Sequence, residues 1–162
     1  MATDFYLKID GIQGEATDEK HKNEIEIESW HMSATNVGSG GKNSGLGTGK
    51  ADFSDFSVTK FADKSTPKLL NAVGSGLHIP KILLTCRKAG GKGGQVEHLT
   101  VEMEGVFVSG YSVSASDEHS VPRETAVFNY NKVTFSYAPQ KTDGSLEGKI
   151  VAGYDRALNK AI

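Results

Sequence analysis

A chain of 162 residues with 18 Lys and Arg against 20 Asp and Glu carries a formal charge of −2, which excludes a general nucleic-acid binder, because neutralising phosphates requires a basic excess. A single cysteine excludes an internal disulfide and suits a reducing compartment. The length fits one domain, residues 1–162, able to bury a core without staples, and no apolar run reaches the length of a membrane span.

The opening residues place Asp4 where a signal peptide would be positive, and no long apolar run follows. They predict no cleavable general-secretion signal and no membrane insertion. Phe5, Leu7 and Ile9 share one face of a first strand, opposite Tyr6, Lys8 and Asp10. Ile25 and Ile27 begin a second strand with Glu26 and Glu28 opposite. Trp30 and Met32 then fall on the glutamate face, so the faces exchange partway, as at a bulge or where a neighbour buries one side.

From Asn36 to Ala51 runs a glycine-rich stretch that superficially resembles a phosphate-binding loop. Gly49-Lys50 is followed by Ala51 and not by Ser or Thr, and Ser44 stands where the first glycine should be. Both ends of the motif fail. The stretch reads instead as a long connection between strands, and one of that length is functional or disordered. Phe56 and Val58 then alternate as in a strand.

One helix is predicted, at about 65–75. Ser65 or Thr66 caps it, Pro67 is tolerated in the first turn, Leu69, Leu70 and Val73 form an apolar stripe, and Gly74 or Gly76 ends it. Strands follow at 82–87, 96–113 and 127–137. In the longest, Leu99, Val101 and Met103 share a face and Val106 and Val108 take the opposite parity, so Gly105 marks a bulge or corner. Many strands, one helix and no βαβ alternation predict a mainly β chain: an antiparallel β-barrel of two packed sheets with one short flanking helix.

Charge is uneven along the chain. Residues 1–35 hold eight acids against three lysines, whereas residues 60–95 hold seven cations against Asp63 alone. Either the two segments lie side by side in one subunit, or one copy presents its acidic surface to the basic surface of the next.

No chemistry-bearing constellation emerges. His21, His31, His78, His98 and His119 are scattered without ligand spacing, and Asp117-Glu118-His119 reads as a solvated loop. No nucleophile elbow surrounds any serine. Cys86 alternates in phase with Ile82 and Leu84 as a buried hydrophobe, and the pairs Glu26/Glu28 and Glu102/Glu104 read as solvated sheet faces. The expectation is a protein that is not an enzyme and uses no cofactor or metal. A monomeric carrier of the lipocalin type, with a ligand inside the barrel, is the competing class.

Thr59-Lys-Phe-Ala-Asp-Lys-Ser-Thr-Pro-Lys-Leu69, with Asp63, Lys64, Ser65, Thr66 and Pro67 at the helix start, and Leu84-Thr-Cys-Arg-Lys-Ala-Gly-Gly91 resemble the hemolysin-coregulated proteins of bacterial type VI secretion. Phe5 to Gly11, Gly14-Glu15, Glu24 to Trp30 and Val133 to Lys141 extend the likeness along nearly the whole chain. Departures lie in Gly38 to Lys50, in Ser114 to Arg123 and after Asp143.

The resemblance implies a barrel related to phage tail-tube proteins that forms hexameric rings. Stacked head to tail inside a contractile sheath and tipped by the spike protein VgrG, the rings are ejected from the cytoplasm with effector proteins. A variant of the same family with its own effector activity is a further alternative. On this footing Glu28, Trp30, His31 and Met32 are candidate lumen contacts, the alternative being that Trp30 and Met32 fill the barrel core. Gly38, Lys42, Gly45, Gly47 and Lys50 belong to a candidate stacking loop that is mobile in the free ring, with Lys42 and Lys50 facing Asp18 and Glu19 of the next ring.

Overall fold

The computed structural model describes residues 3–41, 44–118 and 120–162, and among these the side chains outside 39–48. Strands β1 (Asp4–Ile9), β2 (Ile25–Ile27), β7 (Ile79–Ala89), the first half of β8 (Gln95–Ser114), β10 (Lys132–Tyr137), β11 (Ile150–Asp155) and β12 (Lys160–Ala161) form one sheet, ordered β12-β11-β10-β8-β7-β1-β2. Facing it lies a second sheet, β3 (Ser29–His31), β6 (Phe56–Phe61), β9 (Arg123–Asn129) and the second half of β8. All these pairings are antiparallel.

Two strands carry the chain from one sheet to the other. β8 pairs with β7 and β10 up to Val106 and with β9 from Phe107. At the turning point Gly105 has φ 62, a left-handed conformation that costs glycine little. Asn131 fills the space a side chain would need, its amide nitrogen 2.6 Å from where a Cβ would stand. The expected corner is therefore present, and it switches the buried set from Val101 and Met103 to Val106 and Val108. At the other corner, residues 25–27 pair with β1 and residues 29–31 with β6, while the Glu28 N–H donates to Thr59 O at 2.8 Å. The two packed sheets match the expected class, but the ladder does not close into a barrel. The strand breaks its pairing at Glu28 as it changes partners.

The interior between the sheets is filled. Leu7, Ile25, Phe56, Ile82, Leu84, Val101, Met103 and Phe128 are each at most 1% exposed. Cys86 belongs to this core, and burial raises its thiol pKa to about 11 despite a hydrogen bond from Trp30. It is a buried side chain, as its alternation predicted.

Helix α1 (Thr66–Ser75) docks on β8. Pro67 sits in its first turn and Gly76 caps its end with φ 64. The expected capping differs in detail: Ser65 makes no side-chain cap bond, and the Asp63 N–H donates to Thr66 Oγ1 at 3.0 Å instead. Its buried residues are Leu69 and Ala72, with Val73 packed against the core, whereas Leu70, expected in the stripe, is 59% exposed. Leu70 follows Leu69 by one position, about 100° around the helix, and so turns away from the sheet.

A buried polar network fixes the helix start. Lys60, on β6, is 1% exposed and donates to Glu124 Oε2 on β9 at 2.7 Å and to Phe61 O at 2.9 Å, with Asp63 Oδ1 3.0 Å away. Glu124 Oε1 accepts from Thr66 Oγ1 and, at 2.9 Å, from the Tyr111 hydroxyl. Burial and the Glu124 carboxylate push Tyr111 up to about 12, so it stays a donor. Ser65 donates through both its N–H and its hydroxyl to Asp63. The family-like helix start is thus a structural joint linking α1 to β6, β8 and β9.

Lys60→Met leaves the buried Glu124 carboxyl without its cation, and unfolding in denaturant is expected to show a loss of about 3–5 kcal/mol. Gly105→Ala meets both the positive φ and Asn131, with an expected loss of about 1–3 kcal/mol; equal stability to the parent in the same titration would contradict the corner geometry.

Candidate functional site

The centre of the second sheet's outward face, between exposed Phe61 and Phe107 at its ends, is built from short side chains. Alternation along β6 and β9 sends Phe56, Val58, Lys60, Glu124, Ala126 and Phe128 inward, leaving Ser57, Thr59, Thr125 and Val127 outward. Register aligns these across the sheet. One row runs Ser29, Thr59, Thr125, Ser112 and the next His31, Ser57, Val127, Gly110. The Ser29 and Thr59 hydroxyls bond to each other. At the rim Arg123 donates to both carboxylate oxygens of Glu28 at 3.1 Å and lies over the Phe61 ring, 5.4 Å from its centroid. The two rows carry no Asp, Glu, Lys or Arg, and present the hydroxyls of Ser29, Thr59, Thr125, Ser112 and Ser57 beside the His31 imidazole.

The four candidate lumen residues separate. His31 lies on this face opposite Ser57, and Glu28 is exposed at its rim. Trp30 and Met32 point the other way. Trp30 pairs with Val58 and sits 5.9 Å from Phe56, ring to ring, and both residues pack on the core. The break at Glu28 explains the apparent exchange of faces: after it, the even-numbered residues turn inward.

The stretch at 36–51, expected as an unpaired connection, is instead a ribbon. Strands β4 (Ala34–Gly41) and β5 (Ser44–Phe53) pair with each other from Ala34–Phe53 to Gly41–Ser44, with register shifts after Asn36 and Ser39. Among the described residues they belong to no other sheet. Gly38 lies in β4, and Gly45, Gly47 and Lys50 in β5. Lys42 lies outside the described residues. Glycine spacing hides the alternation by which such strands are recognised, so sequence reading missed the pairing.

The acidic N-terminal segment is tied down within the chain. Arg87, 5% exposed, donates to Asp18 at 3.1 and 2.8 Å and to the Tyr6 hydroxyl at 2.9 Å. Its hydrogen bonds hold Asp18 below the usual carboxylate range. His21 stacks on Tyr6 with centroids 4.5 Å apart and bonds to Glu24 and Glu97 at 2.7 and 2.9 Å. Part of the charge segregation is therefore neutralised inside one subunit, and Asp18, expected to face the next ring, already holds Arg87. Glu19 remains exposed.

The other sequence candidates resolve simply. Glu102 and Glu104 pair with Lys81 and Lys132 across strands, at 3.3 and 3.4 Å. His119 lies outside the described residues, beside exposed Asp117 and Glu118. Among the described residues no group of three or more His, Cys, Asp or Glu is placed to hold a metal ion, and no helix is long and apolar enough to cross a membrane. The space in which a carrier would hold its ligand is taken up by core side chains. β11 and β12, built from the region where the family likeness faded, went unread in the sequence.

Comparison with known proteins places these surfaces in context. The family described as type VI secretion system effector, Hcp, matches residues 6–137. Protein hcp1 of Pseudomonas aeruginosa is 40% identical over 148 residues, covering 91% of each chain. A solved type six secretion system protein superposes with a TM-score of 0.92 at 35% identity, over 99% of this chain and 100% of its own. Hcp1 from Salmonella typhimurium superposes with 0.82 at 35% identity, over 100% of both. The chain belongs to the hemolysin-coregulated protein family, the tube proteins of type VI secretion.

Proposed function

We propose that the chain is the repeating subunit of a type VI secretion inner tube. Six copies close a ring, the hydroxyl face of β3, β6, β9 and β8 turns to the channel, and rings stack head to tail through the β4–β5 ribbon. The observation that carries this reading is the outward sheet face. A protein that moves varied cargo needs a wall with many weak hydrogen-bonding groups and no deep pocket or fixed charge to trap one partner, and the row Ser29, Thr59, Thr125, Ser112 with Ser57 and His31 beside it supplies that surface. The tube is assembled in the cytoplasm and leaves the cell with its effectors, with the spike protein VgrG at its tip and a contractile sheath around it. Its role is structural and not enzymatic.

The ribbon suits the contact between rings. Among the described residues it pairs with neither sheet, and Val37 is 76% exposed on β4 and Lys50 exposed on β5. Its partner on the next ring is the acidic segment, with Glu19 as the acceptor in place of the occupied Asp18.

Sedimentation at micromolar concentration should give a particle of about six times the 17.3 kDa chain; monomer alone would remove the tube reading. Ser57→Arg, beside His31, should leave ring size unchanged and reduce retention of co-expressed effectors by about tenfold or more in pull-downs, because it plants a bulky cation on the neutral wall. Replacing residues 39–48 by a short turn should preserve rings while shortening stacks and lowering export, as seen by electron microscopy and culture-supernatant blots.

A further inference from the structure

Among the described residues the ribbon has no ladder to the body, so its direction is set at its root. There the Ser54 N–H donates to Ser33 O and the Ser33 N–H to Ser54 Oγ, each at 2.8 Å. The Tyr130 hydroxyl holds Ser54 O at 2.8 Å. These bonds cluster around one residue pair, an arrangement that fixes a pivot but not an angle about it.

Off the pivot, Phe53 at the end of β5 stacks on Tyr154 of β11, with centroids 4.6 Å apart and planes 20° from parallel. Tyr154 is rigidly placed. Its strand is paired to β10 on one side, opposite Val133, and to β12 on the other, opposite Ala161. Gly153 and Ile162 exchange backbone hydrogen bonds of 3.0 Å each way, and the Tyr154 hydroxyl donates to Asn159 Oδ1 at 2.9 Å. Beside the root lies an open cleft of about 300 Å³, lined by Lys50, Asp52, Asn131, Arg156 and Asn159 among others. It gives the ribbon room to lean elsewhere if the stack is lost.

We infer that Tyr154 is a positioning residue for ring contact: through Phe53 it holds the ribbon at the angle at which the next ring receives it, and β12 serves to anchor that seat. The inference rests on the reading of the ribbon as the bridge between rings. An aromatic stack biases one arm modestly, but every subunit of a ring presents an arm, so small biases compound in the stacking equilibrium.

The test compares Tyr154→Ala, Tyr154→Phe and Phe53→Leu in the full chain. Backbone hydrogen exchange over residues 49–54 should be about two- to tenfold faster in Tyr154→Ala and Phe53→Leu than in the parent. Ring size by sedimentation should be unchanged and stacks in the microscope should be shorter. Tyr154→Phe keeps the stack and the strand pairings and loses only the hydroxyl bond to Asn159, so its root should exchange closer to the parent than to the alanine variant, a rescue that a general loss of stability at β11 would not show. Unchanged exchange in both stack-breaking variants, a Tyr154→Phe root as loose as the alanine one, or full-length stacks built on a loosened root overturns the inference. A parent protein that forms no rings overturns the ring reading instead, while the exchange result still decides whether Tyr154 seats the ribbon.

Discussion

One strand serving two sheets is the constraint on which this molecule is built. β8 runs from Gln95 to Ser114 and pairs with β7 and β10 over its first half and with β9 over its second. It does so only because Gly105 adopts a left-handed conformation against the Asn131 side chain, which shifts the buried parity by one residue and turns the core set from Met103 to Val106. Without that shift the second half of β8 would present Val106 and Val108 to solvent. The corner at Glu28 is its counterpart, and between them the two corners enclose the core.

The buried joint around Lys60 and Glu124 is a second consequence of that geometry. Bringing β6, β8 and β9 into one sheet places Lys60, Tyr111 and Glu124 at one spot under the start of α1, where Asp63 and Thr66 complete their hydrogen bonds. A buried ion pair contributes little net stability when whole and costs much when broken. Its value here is specificity of docking, since a helix with only Leu69, Ala72 and Val73 to bury has few apolar contacts to fix its register.

Inside and outside of the second sheet divide the work. Inward residues carry cohesion, and at the centre of the outward face Ser57, Thr59, Thr125 and Val127 present short side chains without fixed charge. That division suits a wall meeting many partners, whereas the ribbon and its aromatic root suit a single repeated contact. The two surfaces share no residue, so on the proposed reading a change in one leaves the other intact.

Much of this was legible in the sequence where periodicity was strong. Alternation in Phe5–Ile9, Ile25–Ile27 and Phe56–Val58, the parity change at Gly105, the helix near 65–75 and the buried Cys86 follow from local spacing, because side-chain direction in a strand or helix is a property of the backbone nearby. The inward turn of Trp30 and Met32, the exposure of Leu70, the pairing of β4 with β5, the engagement of Asp18 by Arg87 and the stack of Phe53 on Tyr154 were decided only by the tertiary structure. Each depends on which distant strand lies alongside, and glycine-rich or weakly alternating segments such as 36–51 and 150–161 carry no local pattern from which that neighbour could be read.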